Sequence, residues 1–580
     1  MEGYVMRLKV SRSKNSASLY VIKTVYEGKK EHTLTVEKLG TEKELREKLN
    51  GQDPYGWAKA YIEELNRKEK EETRQVIVML SQSKLINKGV RQSYNGGYLF
   101  LQKIYHEFKL HKICNDISNR HKFSFDLDSI LSRLIYGRIL FPSSKRNTCQ
   151  QSRTLLEQPD FEIQHVYRAL EIIARESDFI QSEIYKNSLA ISRRNDKILY
   201  YDCTNYFFEI EQEDGLKQYG PSKEHRPNPI VEMGLFMDGD GIPLAFSIHS
   251  GNTNEQLTLQ PLEQKIFDDF SLSKFVVCTD AGLSSNANRK FNDKGDRAFI
   301  TIQSIKKLKK HLKAWALAAD GWSLDGAHGE FDITKIEETE ELKQKYMSCT
   351  FYKERWIKED GLEQKLIVTY SLKYKEYQKH IRSRQIERAL KLIQSRPSSL
   401  KKHNQNDFKR FIKKTNVTGD GEVAENELYK IDQETISREE AYDGFYAVCT
   451  NLEDDASAIA RINHKRWEIE ECFRLLKTDF RARPVYLSRD DRIKAHFTTC
   501  FLALTLYRYL EKKLQGKFTS TDIISQIRNM NFHPVPGEGY VPTYTRTDLT
   551  DALHEAFGFR TDYEIVTTKQ MKKIFKDTKK

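Results

Sequence analysis

Three acidic residues stand in settings suited to holding a divalent metal: Asp202 in ILYYDCTNYFFEI, Asp280 in KFVVCTDAG, and Glu470 in RINHKRWEIEECFRLLKTDF. Mg²⁺ is a hard cation that takes oxygen ligands and keeps several waters. Two such ions about 4 Å apart can activate an attacking oxygen and stabilise a leaving one in phosphoryl transfer. Three carboxylates delivered by separate elements are the residue types that this chemistry needs.

The elements that must position them follow from local patterns. Lys197 to Tyr201 is a mostly apolar run ending at Asp202, and Phe275 to Cys278 is a short buried-type strand closing on Thr279-Asp280-Ala281-Gly282. In sheets with parallel strands, sites gather at such strand ends. Taken singly, either aspartate is most often a turn former or cap. The third acid separates the readings. Laid out at about 100° per residue, the helix containing Glu470 places Ile462, Ile469, Phe473, Leu476 and Phe480 in one core stripe. Asn463, Arg466, Glu470 and Lys477 fall together beside that stripe, while Glu471 points away as a solvated acid. The cations around Glu470 suit either i,i+4 ion pairs or DNA phosphates.

The spacing Asn463-x-x-Arg466-x-x-x-Glu470-x6-Lys477 resembles the tyrosine-arginine-glutamate-lysine signature of the IS-four-like insertion-sequence transposases, whose catalytic domains are DDE-type and RNase H-like. Asp202-Cys203-Thr204 resembles the first-aspartate motif, and GPSKEHRPNPIVEMGLFMDGDGIPLAFSIHSGNTNE the segment after it in one branch. Thr279-Asp280-Ala281-Gly282 resembles the second-aspartate segment, and Asp443-Gly444 through Thr450-Asn451 the strand before the glutamate helix. Asn463 replaces the family's tyrosine; its amide can donate to a phosphate oxygen but offers no aromatic face.

The resemblance implies a DNA transposase that cleaves and joins strands at the ends of its own insertion sequence. Asp202, Asp280 and Glu470 would be both catalytic residues and metal ligands, holding two Mg²⁺ ions for which Mn²⁺ can substitute. Arg466, Lys477 and Asn463 would bind DNA phosphates. The partners implied are double-stranded DNA, as terminal inverted repeats and target, and a second copy of the chain in the DNA complex. Two rivals stand beside this reading: an RNase H-like metal-dependent nuclease without strand joining, and a domesticated DNA-binding protein that does not cut.

Composition sets the outer bounds. At 580 residues the chain holds several domains, and 38% hydrophobic residues suffice for packed cores. With 95 Lys and Arg against 83 Asp and Glu the net charge of +12 favours a polyanionic partner. No apolar stretch approaches the roughly 20 residues needed to span a bilayer, and MEGYVMRLKVSRSK lacks a signal-peptide apolar region. These features predict a cytosolic protein acting on intracellular DNA, and the resemblance implies a bacterial or archaeal cytosol and association with the nucleoid. The eight cysteines form no C-x-x-C pair, which argues against zinc fingers and a disulfide framework.

The predicted fold class is α/β: an RNase H-like mixed-sheet core interrupted by a β-containing insertion, preceded by a β unit and a helical domain. Residues 1–53 read as a small basic β unit, with strands at Tyr20 to Tyr26 and Thr33 to Leu39 around a turn at Glu27-Gly28 and with Arg7, Lys9, Arg12 and Lys14 crowding its start. That unit reads equally as a DNA contact or as a solvated hairpin. Residues 54–194 read as helical, with end recognition implied by the resemblance, and 195–306 as the first part of the core. A structureless loop over 307–441 is implausible, so that stretch reads as an insertion subdomain. It holds the basic runs Lys306 to Lys313 and Lys401 to Lys414, and Trp315, Trp322 and Trp356. The core resumes over 442–515, and 516–580 reads as a helical tail.

Overall fold

The computed structural model describes residues 5–13, 16–27, 30–72, 76–78, 81–395, 407–416 and 427–580. Lys14, Gly28, Lys401 and Lys402 lie outside the described residues. The chain divides into two units, Met1–Val90 with Val535–Glu538, and Arg91–Pro534 with Gly539–Lys580.

In the first unit, β1 (Arg7–Ser13), β2 (Ser16–Glu27) and β3 (Lys30–Thr41) form an antiparallel sheet in that order. Helix α1 (Glu42–Lys48) starts from a capping box in which Thr41 and Glu44 bond each other's backbone, and α2 (Pro54–Glu72) follows. Leu19, Leu45 and Ala58 form the small core, with Leu8, Val10 and Trp57 packed against it. Because Ala58 and its neighbours on α2 bury against this sheet, α2 belongs with the β unit, and the boundary lies near residue 90 rather than at 53.

The second unit opens with β4 (Tyr94–Asn95) and six helices: α3 (Tyr98–Glu107), α4 (Leu110–Arg120), α5 (Leu127–Leu140), α6 (Lys145–Ser152), α7 (Ile163–Arg175) and α8 (Ser177–Ile191). Then come β5 (Ile198–Phe207), β6 (Ile230–Asp238), β7 (Pro243–Ser250), α9 (Leu259–Phe270), β8 (Val276–Thr279), α10 (Asn286–Phe291) and β9 (Ala298–Ile302). Strands β7, β6 and β5 pair antiparallel, and β8 and β9 continue the sheet in parallel from β5. Three antiparallel strands extended by two parallel ones is the RNase H-like arrangement. Every residue of β6 is buried, as a central strand with both faces covered requires. Gly234 on that strand has no side chain because a Cβ there would lie 2.2 Å from the Tyr201 hydroxyl.

The hairpin between β6 and β7 is locked by a buried ion pair. Arg194 Nε donates to Asp238 Oδ2 at 2.6 Å and its Nη2 caps the carbonyls of Ile242 and Pro243. Asp238 Oδ1 accepts from the backbone of Asp240 and Ile242. Removing one partner strands a charge with Asp238 fully buried, so Asp238→Ala is expected to cost about 3–5 kcal/mol. Urea unfolding of the variant beside the wild type measures it; a loss under about 1 kcal/mol would refute the locking role.

Helix α11 (Lys310–Leu317), β10 (Ser323–Leu324), α12 (Ile333–Ile336), α13 (Glu340–Tyr346), β11 (Phe351–Glu359), β12 (Leu362–Tyr370), α14 (Leu372–Gln394), β13 (Ile412–Asn416), β14 (Glu427–Ile431) and α15 (Gln433–Glu440) make up the insertion. Its strands do not stand apart. β12 pairs with β15 (Phe445–Thr450), and β15 with β9, so one sheet runs β10-β11-β12-β15-β9-β8-β5-β6-β7. Trp322 is wholly buried there as a core residue.

After β15 come α16 (Ala456–His464), α17 (Trp467–Lys477) and α18 (Asp490–Lys513). α18 is buried nearly all round, which makes it the central helix of the unit. The segment expected as a helical tail contains α19 (Ser520–Asn529), β16 (Asn531–Val535), β17 (Gly539–Pro542), α20 (Asp548–Phe557), β18 (Val566–Thr567) and α21 (Thr568–Asp577). β18, β17, β16 and β4 form a second sheet. Met571 and Ile574 bury α21 against the core, and Thr578 Oγ1 accepts from Gln102, so this end is packed rather than frayed. Among the described residues no helix is long and apolar enough to cross a membrane.

Candidate active site

β5 and β8 run parallel with Leu199 beside Val277 and Tyr200 beside Cys278. Asp280 follows directly on β8, and its charge acts on Asp202 of the neighbouring β5. Asp202 Oδ1 accepts from Cys203 N at 2.8 Å, and Asp280 Oδ1 from Leu283 N at 3.0 Å. Burial, and after it the Asp280 charge, push the Asp202 carboxyl up to about 6, against the pull of Lys223, a backbone N–H and Arg466. Two carboxylates held this way favour a cation between them.

Glu470 is held differently. Its Oε1 accepts from Arg466 Nη2 at 3.0 Å, and its side chain is 58% exposed. Among the described residues no group of three or more His, Cys, Asp or Glu stands close enough to hold a metal ion. The structure therefore joins Asp202 to Asp280 and keeps Glu470 on Arg466. The positive charge of Arg466 acts on Asp202 as well, so this one guanidinium links the acids.

The helix expected to carry all four signature residues is two helices. Backbone bonds from Lys465 to Ile462, Arg466 to Asn463, Glu468 to Lys465 and Ile469 to Arg466 all span three residues and tighten the chain between α16 and α17. Asn463 consequently leaves the sector of Glu470. It is 7% exposed, donates from Nδ2 to Tyr446 Oη at 3.1 Å, and leaves Oδ1 buried without a partner. A buried amide so engaged does not present itself to a DNA phosphate. Tyr446, on β15, brings an aromatic hydroxyl to this place instead, within the fields of Arg466 and Asp280. The core stripe of the predicted helix does bury, with Ile469, Phe473, Leu476 and Phe480 in the main core. Glu471 is paired rather than freely solvated: Arg474 Nε donates to it at 2.7 Å and depresses its carboxyl.

Lys477 turns inward, donating to Thr204 Oγ1, with its ammonium 5.6 Å from the Tyr206 ring centre. Burial and then Lys223 lower its ammonium to about 8. Lys223 itself donates to Cys203 O at 2.6 Å and pairs with Glu255 at 2.8 Å. Glu232, on β6, is 3% exposed with Oε1 unpartnered, and burial followed by Glu255 raises its carboxyl to about 8. Sequence reasoning missed Lys223, Glu232, Glu255 and Tyr446. Glu232 had a visible signal, as an acid in the middle of the apolar strand IVEMGLFMD; the others are assembled only by tertiary contact.

A cleft of about 540 Å³ opens between β9, β15 and α14, lined among others by Lys306, Tyr374, Tyr377, Arg382 and Tyr446. Tyr374 and Tyr377 stack with ring centres 6.4 Å apart, and Tyr377 is 60% exposed.

Residues 207–506 match the family described as transposase DDE domain, a span that begins five residues after Asp202 and takes in Asp280, Arg466, Glu470 and Lys477. No curated protein matches the chain. Among solved structures, the chain is similar to the cryo-EM structure of a piggyBac transposase synaptic complex with hairpin DNA, at a TM-score of 0.35 and 8% identity over 83% of this chain and 84% of that one.

Proposed function

This chain belongs to the transposase DDE-domain family, and from that premise we propose that it cleaves DNA at the ends of its own insertion sequence and joins the freed 3′ ends to a target. The observation that carries the reading is the pairing of β5 with β8, across which burial and the Asp280 charge raise the pKa of Asp202. That like-charge pair fits a divalent cation, Mg²⁺ by its oxygen donors, held by Asp202 and Asp280 with Glu470 as the third ligand. Bound there, such ions lower the pKa of an attacking oxygen and stabilise a leaving one.

The protein's own residues do the positioning. Arg466, which holds Glu470, would pair with a backbone phosphate, its guanidinium exchanging Glu470 for the phosphate oxygens. Glu470 is thereby released toward the aspartates only when DNA is seated. Lys477 and Lys223, flanking Asp202, contribute positive charge where the pentavalent phosphate gathers negative charge. Tyr374 and Tyr377 offer a stacking face for a base displaced from the duplex. Strand cleavage by water and strand joining by the 3′-hydroxyl use the same site in succession. The two ends call for two copies of the chain on DNA, acting in the cytosol.

The test is incubation of the full chain with a plasmid carrying the DNA that flanks its gene, with Mg²⁺, scoring nicks at the element ends and joined products. Nicking followed by joining is the expected result. Nicking without joining would move the assignment to a nuclease, and binding without nicking to a DNA-binding protein that no longer cuts.

A further inference from the structure

We propose that the open face of the β1-β2-β3 sheet is a second DNA-contacting surface, one that sits in the major groove of duplex DNA through Arg7, Lys9 and Lys38. It deepens the transposase reading, on which the choice of DNA as partner rests, by assigning the surface that grips the duplex.

The register fixes which side chains share that face. Lys9 stands opposite Tyr20, and Tyr20 opposite Lys38, so two lysines flank one tyrosine in a row across all three strands. Arg7 lies opposite Ile22, and Ile22 opposite Thr35, in the next row. The alternate residues Leu8, Val10 and Leu19 point the other way, into the core under α1 and α2. Arg7, Lys9 and Lys38 are all exposed.

The two faces treat charge in opposite ways. On the covered face Lys23 is paired with Glu69 of α2, and Glu37 accepts from the Tyr61 hydroxyl at 3.0 Å. On the open face the Arg7 guanidinium donates only to the neutral Thr24 hydroxyl at 3.2 Å. Glu44, on which the Lys38 charge acts, commits its carboxylate to the Thr41 backbone at the start of α1. Residues 7–41 hold eight Lys and Arg against three Glu, a net +5. Cations gathered on one sheet face repel one another, and a polyanion laid over them relieves that repulsion.

Dimensions select the duplex. Three strands about 4.8 Å apart place the outer two about 10 Å from each other, which matches a major groove about 12 Å wide. β2 and β3 each have 12 residues, and at about 3.3 Å per residue the sheet is long enough to follow the groove past several phosphates. Between the cations the face carries the hydroxyls of Ser11, Ser18, Tyr20 and Thr35, donors and acceptors suited to base edges. Sheets that read DNA in this way are an established mode of recognition.

The test uses the full chain and a labelled duplex oligonucleotide, measured by fluorescence anisotropy over a range of salt. The combined variant Arg7→Ser, Lys9→Ser, Lys38→Ser is expected to bind at least about tenfold more weakly near 0.1 M salt and to lower the slope of log K against log salt by about 2 to 3. The charge-preserving set Arg7→Lys, Lys9→Arg, Lys38→Arg should restore most of the affinity, and thermal unfolding should be unchanged in both because the side chains are exposed. Unaltered affinity and slope in the serine variant would overturn the proposal, as would a wild-type preference for single strands or RNA over duplex. End cleavage by a serine variant that binds as well as wild type would sink the sheet assignment alone. Sheet-dependent binding without any cleavage by wild type would sink the transposase reading alone.

Discussion

Asp202→Asn is expected to abolish DNA cleavage and at the same time to make the folded protein more stable. The loss follows from removing a ligand oxygen and its charge: several kcal/mol of transition-state stabilisation correspond to a rate decrease of about three orders of magnitude or more. The gain follows from linkage. The Asp202 carboxyl has its pKa raised from 3.8 to about 6 in the folded chain, first by burial and then by Asp280. Below pH 4 the group is protonated in both states and contributes no penalty. Between about pH 4 and pH 6 the unfolded chain gives up the proton while the folded one still holds it, so stability falls as pH rises. Above pH 6 the penalty is complete, at about 3 kcal/mol. The asparagine variant lacks it, so the difference in melting temperature should be clear at pH 7.5 and vanish below pH 4. Added Mg²⁺ should raise the melting temperature of wild type and do little for the variant. A variant that is inactive but no more stable at pH 7.5 would show that the two aspartates are not held in mutual repulsion.

Glu470→Gln is expected to eliminate cleavage as completely while leaving duplex binding within about twofold, whereas Glu471→Gln leaves cleavage intact. The neighbouring acids differ in partner rather than in type. Glu470 faces Arg466, whose charge reaches Asp202, and Glu471 is tied to Arg474 on the far side of α17. Glu471→Gln gives up a partly exposed ion pair and should cost less than about 1 kcal/mol of stability. Arg466→Ala is expected to give the complementary result: it frees Glu470 but would remove the proposed phosphate contact, so cleavage should drop and the salt dependence of binding fall by about one. Equal loss of cleavage from Glu470→Gln and Glu471→Gln would rule out the assignment of the third acid.

The parts of this arrangement that were legible in the sequence are those governed by local periodicity. The apolar runs before Asp202 and Asp280 became β5 and β8, and the stripe from Ile469 to Phe480 became the buried face of the glutamate helix. What stayed hidden depends on contacts between distant segments. No Gly or Pro marks the tight turn at Lys465 and Arg466, so the sequence reads as one helix, and Asn463 was assigned to the wrong surface. The insertion looked self-contained because its pairing with β15 joins Leu366 to Cys449, a partnership no local pattern announces. β1 was passed over because RLKVSRS is too polar to read as a buried strand; one face of it is open to solvent. The packing of α2 on that sheet rests on Ala58 with Tyr55 and Trp57 beside it, which a helical pattern alone does not allocate to a domain.

The order in which the sheet is threaded has a consequence for synthesis on the ribosome. The two aspartates lie on strands complete by residue 302, yet β15 closes against β9 only after residue 445, and Glu470 and the central helix α18 come later still. A nascent chain that has emerged through the insertion owns both aspartates but neither the third acid nor the helix that covers the sheet. With Glu470 as the proposed third ligand, fragments released early by stalled or interrupted translation would lack it and would not cut DNA. On that assignment, competence to cleave would come only after the whole insertion has been made.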